Sequence, residues 1–160
     1  MHRSWTKDRR GVEGFFEEIL AFIVVVIAVG AFITSAYSSF LAHERQNALS
    51  SLSDDCYTFS RALRSFDPIV ERGVVFQEPL PGRLDSQKLD GLNMSVLRNG
   101  LGTPHHLNLS FTDRVLGTVW VLGDKPPAGP VQRAVVTAPV LISWPDGRRD
   151  PGSIEVVMWD

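Results

Sequence analysis

Residues 19–42 read ILAFIVVVIAVGAFITSAYSSFLA, and residues 49–66 read LSSLSDDCYTFSRALRSF. The first stretch holds 24 residues and no charge. As a helix rising about 1.5 Å per residue it would cover roughly 36 Å. A bilayer core needs about 20 residues, so this run can span it with some tilt. The β-branched segment Ile23–Ile27 is strand-like in composition, but strands usually stop after about four to eight residues and this run continues far past that. In the second stretch apolar residues fall at Leu49, Leu52, Cys56, Phe59, Leu63 and Phe66. Steps of three and four draw one stripe along a helix. Ser51, Asp54, Asp55, Ser60, Arg61 and Arg64 lie between them and suit a wet face. Together the stretches predict one helix from about Phe15 to Phe66, apolar all round in its first half and amphipathic in its second. Asp67-Pro68 ends it, because proline disfavours helical geometry in the residue before it.

The flanks orient the apolar half. Arg3, Lys7, Arg9 and Arg10 precede it, whereas His43, Glu44 and Arg45 follow. An excess of Lys and Arg on the N-terminal side places that side in the cytoplasm and the C-terminal part outside. A removable secretory signal has an apolar core of only about 7–15 residues, so a retained anchor is expected. The net charge of -2 provides no basic field for nucleic acid. Cys56 is the single cysteine, which excludes an intrachain disulfide or a cysteine-based zinc site. Lying on the stripe, it reads as a small buried apolar residue.

Beyond Pro68 the period changes. Val74–Phe76 is a short strand candidate, and EPLPGRLD after it reads as turns. Residues 86–97 suit a broken short helix, ended by Asn99-Gly100 and Gly102. Leu107, Leu109 and Phe111 alternate with Asn108 and Ser110, the pattern of a half-buried strand. Residues 115–122 read as a strand with Gly117 as a bulge. Residues 131–144 form another, bent or edge-exposed at Pro139. WPDGRRDPG turns the chain into a last strand over 153–159, its antiparallel neighbour. The expected fold class is α+β, a long N-terminal helix packed on a small antiparallel sheet. Its parts are a leader (1–11), a transmembrane helix (12–42), an amphipathic continuation (43–67) and an exported β-rich domain (68–160).

Two features resemble the type IV pilin superfamily, especially archaeal pilins and archaellins and the TadE-like pseudopilins. One is DRRGVEGFFEEILAFIVVVIAV over residues 8–29, a basic leader ending in Arg-Gly before an apolar helix with acidic residues near its start. It is similar to a class III signal peptide. The other is the two-part helix followed by a β-domain. The resemblance implies cleavage by a prepilin-type peptidase after Gly11, which makes Val12 the mature N-terminus and Gly14 the third mature residue. It also implies an assembly segment at Phe15, Phe16, Glu17 and Glu18, and partners that are membrane lipid and other pilin-like subunits in a homo- or hetero-polymer. The family's bacterial members place one glutamate at the fifth mature residue. Here that residue is Phe16, and Glu17 and Glu18 are sixth and seventh.

Asn93-Met94-Ser95 and Asn108-Leu109-Ser110 fit the N-glycosylation acceptor pattern, Asn108 being the more accessible on the polar face of its strand. His105-His106 reads as a solvated loop, since no carboxylate or cysteine stands beside it at ligand spacing. No G-x-S-x-G, H-E-x-x-H, P-loop or dinucleotide fingerprint occurs, so no catalytic residue, cofactor or metal is expected. Trp120, Trp144 and Trp159 read as core or subunit-contact residues. The reading is a structural, pilin-like subunit, minor or accessory, of a type IV-like surface filament or its assembly machinery; its alternative is a surface adhesin or receptor that is anchored but never polymerises.

Overall fold

The structure, a computed structural model, describes the backbone of residues 8–160 and the side chains from Phe15 onward. The fold is α+β, with a long N-terminal apolar helix whose later turns pack against an antiparallel sheet. The chain divides between Gln46 and Asn47 into two compact units.

Helix α1 covers Asp8–Leu63, 56 residues, without a break. Its end tightens before Pro68: Ser65 N–H donates to Ala62 O and Phe66 N–H to Leu63 O. These shorter-range bonds take up carbonyls that the last turn would otherwise leave free. Leu52, Cys56, Phe59 and Leu63 of the stripe are buried and Phe66 packs against them. Leu49, one turn earlier, is 41% exposed, so the stripe is covered over fewer turns than its spacing predicts.

The remaining elements are β1 (Val70–Arg72), β2 (Pro79–Asp85), α2 (Ser86–Asp90), α3 (Met94–Leu101), β3 (His106–Asp113), β4 (Val119–Gly123), β5 (Arg133–Ser143) and β6 (Arg149–Trp159). The six strands form one sheet in the order β1-β2-β5-β6-β3-β4. β5 and β6 form the expected hairpin, paired from Arg133↔Trp159 to Ser143↔Arg149, but β6 begins at Arg149, inside the stretch read as turn, and not at Ser153. Inward positions of the three long strands alternate as a pleat requires: Leu107, Leu109 and Phe111 of β3, Val140 and Ile142 of β5, and Ile154, Val156 and Met158 of β6. They meet the helix stripe, and Leu89 and Leu97 of the short helices close the same core. Gly152 keeps that face open: a Cβ there would stand 2.7 Å from Thr112 O and 2.8 Å from the tip of Ile142.

Three further strand predictions need correction. Val74–Phe76 is a turn rather than a strand. EPLPGRLD contains β2 instead of turns alone. Its prolines are tolerated because β2 meets β5 only from Arg83 to Asp85, in the one parallel pairing of the sheet. Residues 115–118 form a loop, so β4 starts at Val119. Gly117, with φ +70°, serves that loop and not a bulge. Asp113 builds the loop by accepting from Val115 N–H at 2.7 Å and Leu116 N–H at 3.0 Å. Pro139 lies in an inner strand, yet it pairs only with Ser153, since β2 does not reach that far. Locally it is at an edge, as expected.

Candidate functional site

In α1 the side chains of Phe15, Phe16, Ile19, Leu20 and the apolar residues through Phe40 are exposed on every side of the helix. Phe32 is 74% exposed. A buried helix would hide one stripe at least; this segment hides none within its own chain. It is long and apolar enough to cross a membrane. Its hydroxyls are prepared for an apolar solvent, because Thr34 Oγ1 donates to Gly30 O at 2.9 Å and Ser38 Oγ to Ser35 O at 2.9 Å. Such back-bonding satisfies donors that lipid cannot.

The residues expected to form an assembly segment stand at the start of this surface. The Phe15 and Phe16 rings meet edge to face, with centroids 6.4 Å apart. Glu17 and Glu18 are exposed, and Glu17 borders a shallow apolar groove with Phe16, Leu20, Val24 and Val25. Two carboxylates therefore adjoin an otherwise uncharged surface. Residues 1–7 of the leader lie outside the described residues. Gly11 and Val12 fall within α1, with no side-chain description.

In the β-rich unit, His105 departs from its reading as a solvated loop residue. Its Nδ1 lies 2.5 Å from Asp160 Oδ1 and its Nε2 lies 3.2 Å from Asp55 Oδ2. The imidazole thus joins the amphipathic part of α1 to the residue after β6. The Asp160 hydrogen bond, aided by Asp55 and opposed by burial, raises its pKa above the ordinary histidine value. Its partners are 50 and 55 residues away in sequence, so no local spacing reveals them. His106 stacks on Trp159, with ring centroids 5.8 Å apart. No group of three ligating side chains suited to a metal occurs among the described residues.

Trp120, Trp144 and Trp159 serve the fold. Trp159 is buried, while Trp120 and Trp144 lie 6.0 Å apart and half-buried. Trp120 Nε1 donates to Asp90 at 2.7 Å and Trp144 Nε1 to buried Asp113 at 2.9 Å. Burial pushes the Asp113 carboxyl up. The N–H groups of Leu116 and Val115, with Trp144, outweigh it and hold the pKa below the ordinary aspartate value. Cys56 is buried, and desolvation pushes its thiol up to about 11; such a thiol is a poor nucleophile at neutral pH.

The order of the two acceptor asparagines is reversed. Asn108 is half-buried and its Nδ2 donates to Asp124 O at 2.9 Å. Asn93 is exposed and caps α3, its Oδ1 accepting from Val96 N–H at 3.0 Å and Ser95 Oγ at 2.6 Å. Asn93 is therefore the more accessible.

One surface feature carries no motif. Val74, Val75 and Phe76 form the turn between β1 and β2 and are 96%, 80% and 81% exposed. Gly73 N–H donates to Glu78 O and Gln77 N–H to Gly73 O, closing the loop behind them. Gln77 takes a left-handed φ of +53°. A closed turn thus holds three consecutive apolar side chains out at the surface.

Comparison with protein-family models, with curated proteins and with solved structures returned no match to this chain. The geometry alone defines a protein with a membrane-anchoring helix and a helix-plus-sheet domain.

Proposed function

We propose that this chain is a structural, pilin-like subunit of a type IV-like surface filament or of its assembly machinery. The observation that supports this reading most is the division of α1. One half buries a stripe under its own sheet, while the other exposes apolar side chains all round. Stored in the bilayer, that second surface is solvated by lipid; extracted into a filament, it is solvated by the same helix of neighbouring subunits. A prepilin-type peptidase cuts after Gly11 on the cytoplasmic side, and the C-terminal domain lies outside. Glu17 or Glu18 then pairs with the α-amino group of Val12 on an adjacent subunit, which offsets the cost of a carboxylate among apolar side chains.

Mass spectrometry of the mature N-terminus tests the processing step. A start at Val12 is expected, and an intact Met1 or a cut near Ala36 would sink the reading. The double substitution Glu17→Gln, Glu18→Gln should abolish incorporation into filaments while leaving membrane insertion intact. Normal incorporation of that variant removes the proposed role of the two carboxylates.

A second reading, an anchored adhesin or receptor that never polymerises, is favoured by the exposed Val74–Phe76 turn. It predicts a processed or unprocessed monomer in the membrane whose binding to a surface is lost when all three residues become serine.

A further inference from the structure

Four arginines of the β-rich unit, Arg72, Arg98, Arg148 and Arg149, sit in ion pairs with carboxylates. Among the described residues Arg64, Arg83 and Arg114 have no such pair. They come from the residue after α1, from β2 and from the loop after β3, yet all three line one open surface depression of about 400 Å³. Its other walls are chiefly Pro81, Pro139, Leu141 and Pro151, and no carboxylate lines it. Glu71, whose field reaches Arg83, has its oxygens engaged by Ser143 Oγ at 2.6 Å and Arg149 Nη2 at 3.2 Å.

The backbone holds this cluster in place. Gly82 N–H donates to Arg64 O at 2.7 Å, and Arg114 N–H donates to Pro151 O at 3.1 Å. Gly82 has φ +78°, and a Cβ there would stand 3.5 Å from Arg64 Nη2, so the guanidinium lies along bare backbone. Arg64 Nε is buried with no hydrogen-bond partner among the described residues. A buried donor without an acceptor is unfavourable, and like charges around one depression repel each other. An anion relieves the repulsion.

Guanidinium forks match oxyanions through paired N–H donors. Three arginines from three elements around one depression supply more donors than a planar carboxylate with two oxygens can use, and a tetrahedral anion has more oxygens to accept them. No aromatic ring lines the depression, so it lacks the stacking platform of a single-stranded nucleic-acid site. We propose that Arg64, Arg83 and Arg114 form a binding site for a phosphate group, either inorganic phosphate or a phosphomonoester headgroup.

The test uses the full chain in a neutral detergent, titrated with inorganic phosphate against chloride at constant ionic strength. A saturable rise in thermal midpoint and a calorimetric isotherm are expected. The double substitution Arg64→Gln, Arg83→Gln should weaken the apparent affinity about 10-fold or more, and the corresponding lysine pair should lose less. Arg114→Gln, at an exposed position, is the variant least able to disturb folding and should also weaken binding. Arg133→Gln, outside the depression, should not. Dihexanoyl phosphatidic acid separates the sources: tighter binding than inorganic phosphate identifies a headgroup, and equal binding a free anion. Absence of a saturable phosphate response in the parent overturns the site. So does a response unchanged in both the folded double variant and Arg114→Gln.

Discussion

Phe15–Ala42 and Leu52–Leu63 belong to one unbroken helix, yet they solve opposite problems. The later segment presents one apolar stripe and buries it under β3, β5 and β6. The earlier segment presents apolar side chains around its whole circumference and buries none of them. Both have the same backbone hydrogen bonding, so secondary structure alone does not distinguish them. The width of the apolar face does: a stripe can be satisfied by one sheet, whereas a full cylinder needs an apolar surround. That surround comes from outside the chain, whether lipid or other helices.

The sharpest way to break this contrast is to truncate one leucine in each half. Leu63 is completely buried in the stripe. Leu63→Ala should destabilise the β-rich unit by about 2–5 kcal/mol, the range for a buried leucine whose site cannot fully collapse. Leu20→Ala removes the same atoms from an exposed position and should leave that unfolding transition unchanged. Denaturant titration of the full chain in detergent, followed by tryptophan fluorescence, reads both. Equal destabilisation by the two would show that the halves are not energetically separate.

A charge scan reverses the asymmetry. Val26→Arg places a guanidinium well inside the uncharged run, which opposes insertion by up to about 2.5–3.5 kcal/mol, the cost of a charge at the bilayer centre. Alkaline extraction should then release more of the variant from membranes. Tyr57→Arg, on the exposed face of the later half, should leave extraction unchanged. A Val26→Arg protein retained as firmly as the parent would contradict the spanning role of residues 19–42.

The elements legible in the sequence are those whose information is periodic and local. The three–four stripe, the alternation through Leu107–Phe111 and the turn between β5 and β6 each carry their own geometric period. β2 is illegible because Pro79 and Pro81 are strong turn signals, and only its position beside the end of β5 makes them acceptable. Val74–Phe76 misleads in the opposite direction: its composition is strand-like, but the closing bonds at Gly73 make it a turn tip. The exposed surface around Phe15–Glu18 follows directly from an all-apolar run. The arginine depression does not, since Arg64, Arg83 and Arg114 are joined only by the path of the chain. The same is true of the His105 contacts, and they supply the mildest test.

His105 touches Asp55 on the amphipathic half of α1 and Asp160 beyond β6; Thr103 Oγ1 accepts its backbone N–H at 3.3 Å. Because the folded state raises its pKa, chiefly through the Asp160 hydrogen bond, the protonated ring favours folding. That stabilisation is complete below the unfolded value of about pH 6.5 and is lost as pH rises through the higher folded value. The β-rich unit should therefore lose stability across that window, and His105→Gln should flatten the slope there while changing little above it. Urea midpoints of parent and variant, measured from about pH 5.5 to pH 8.5, decide the matter. Parallel curves would mean that the imidazole contacts are energetically silent. A slope removed by His105→Gln would show that the contacts of His105 with Asp160 and Asp55 together titrate with folding.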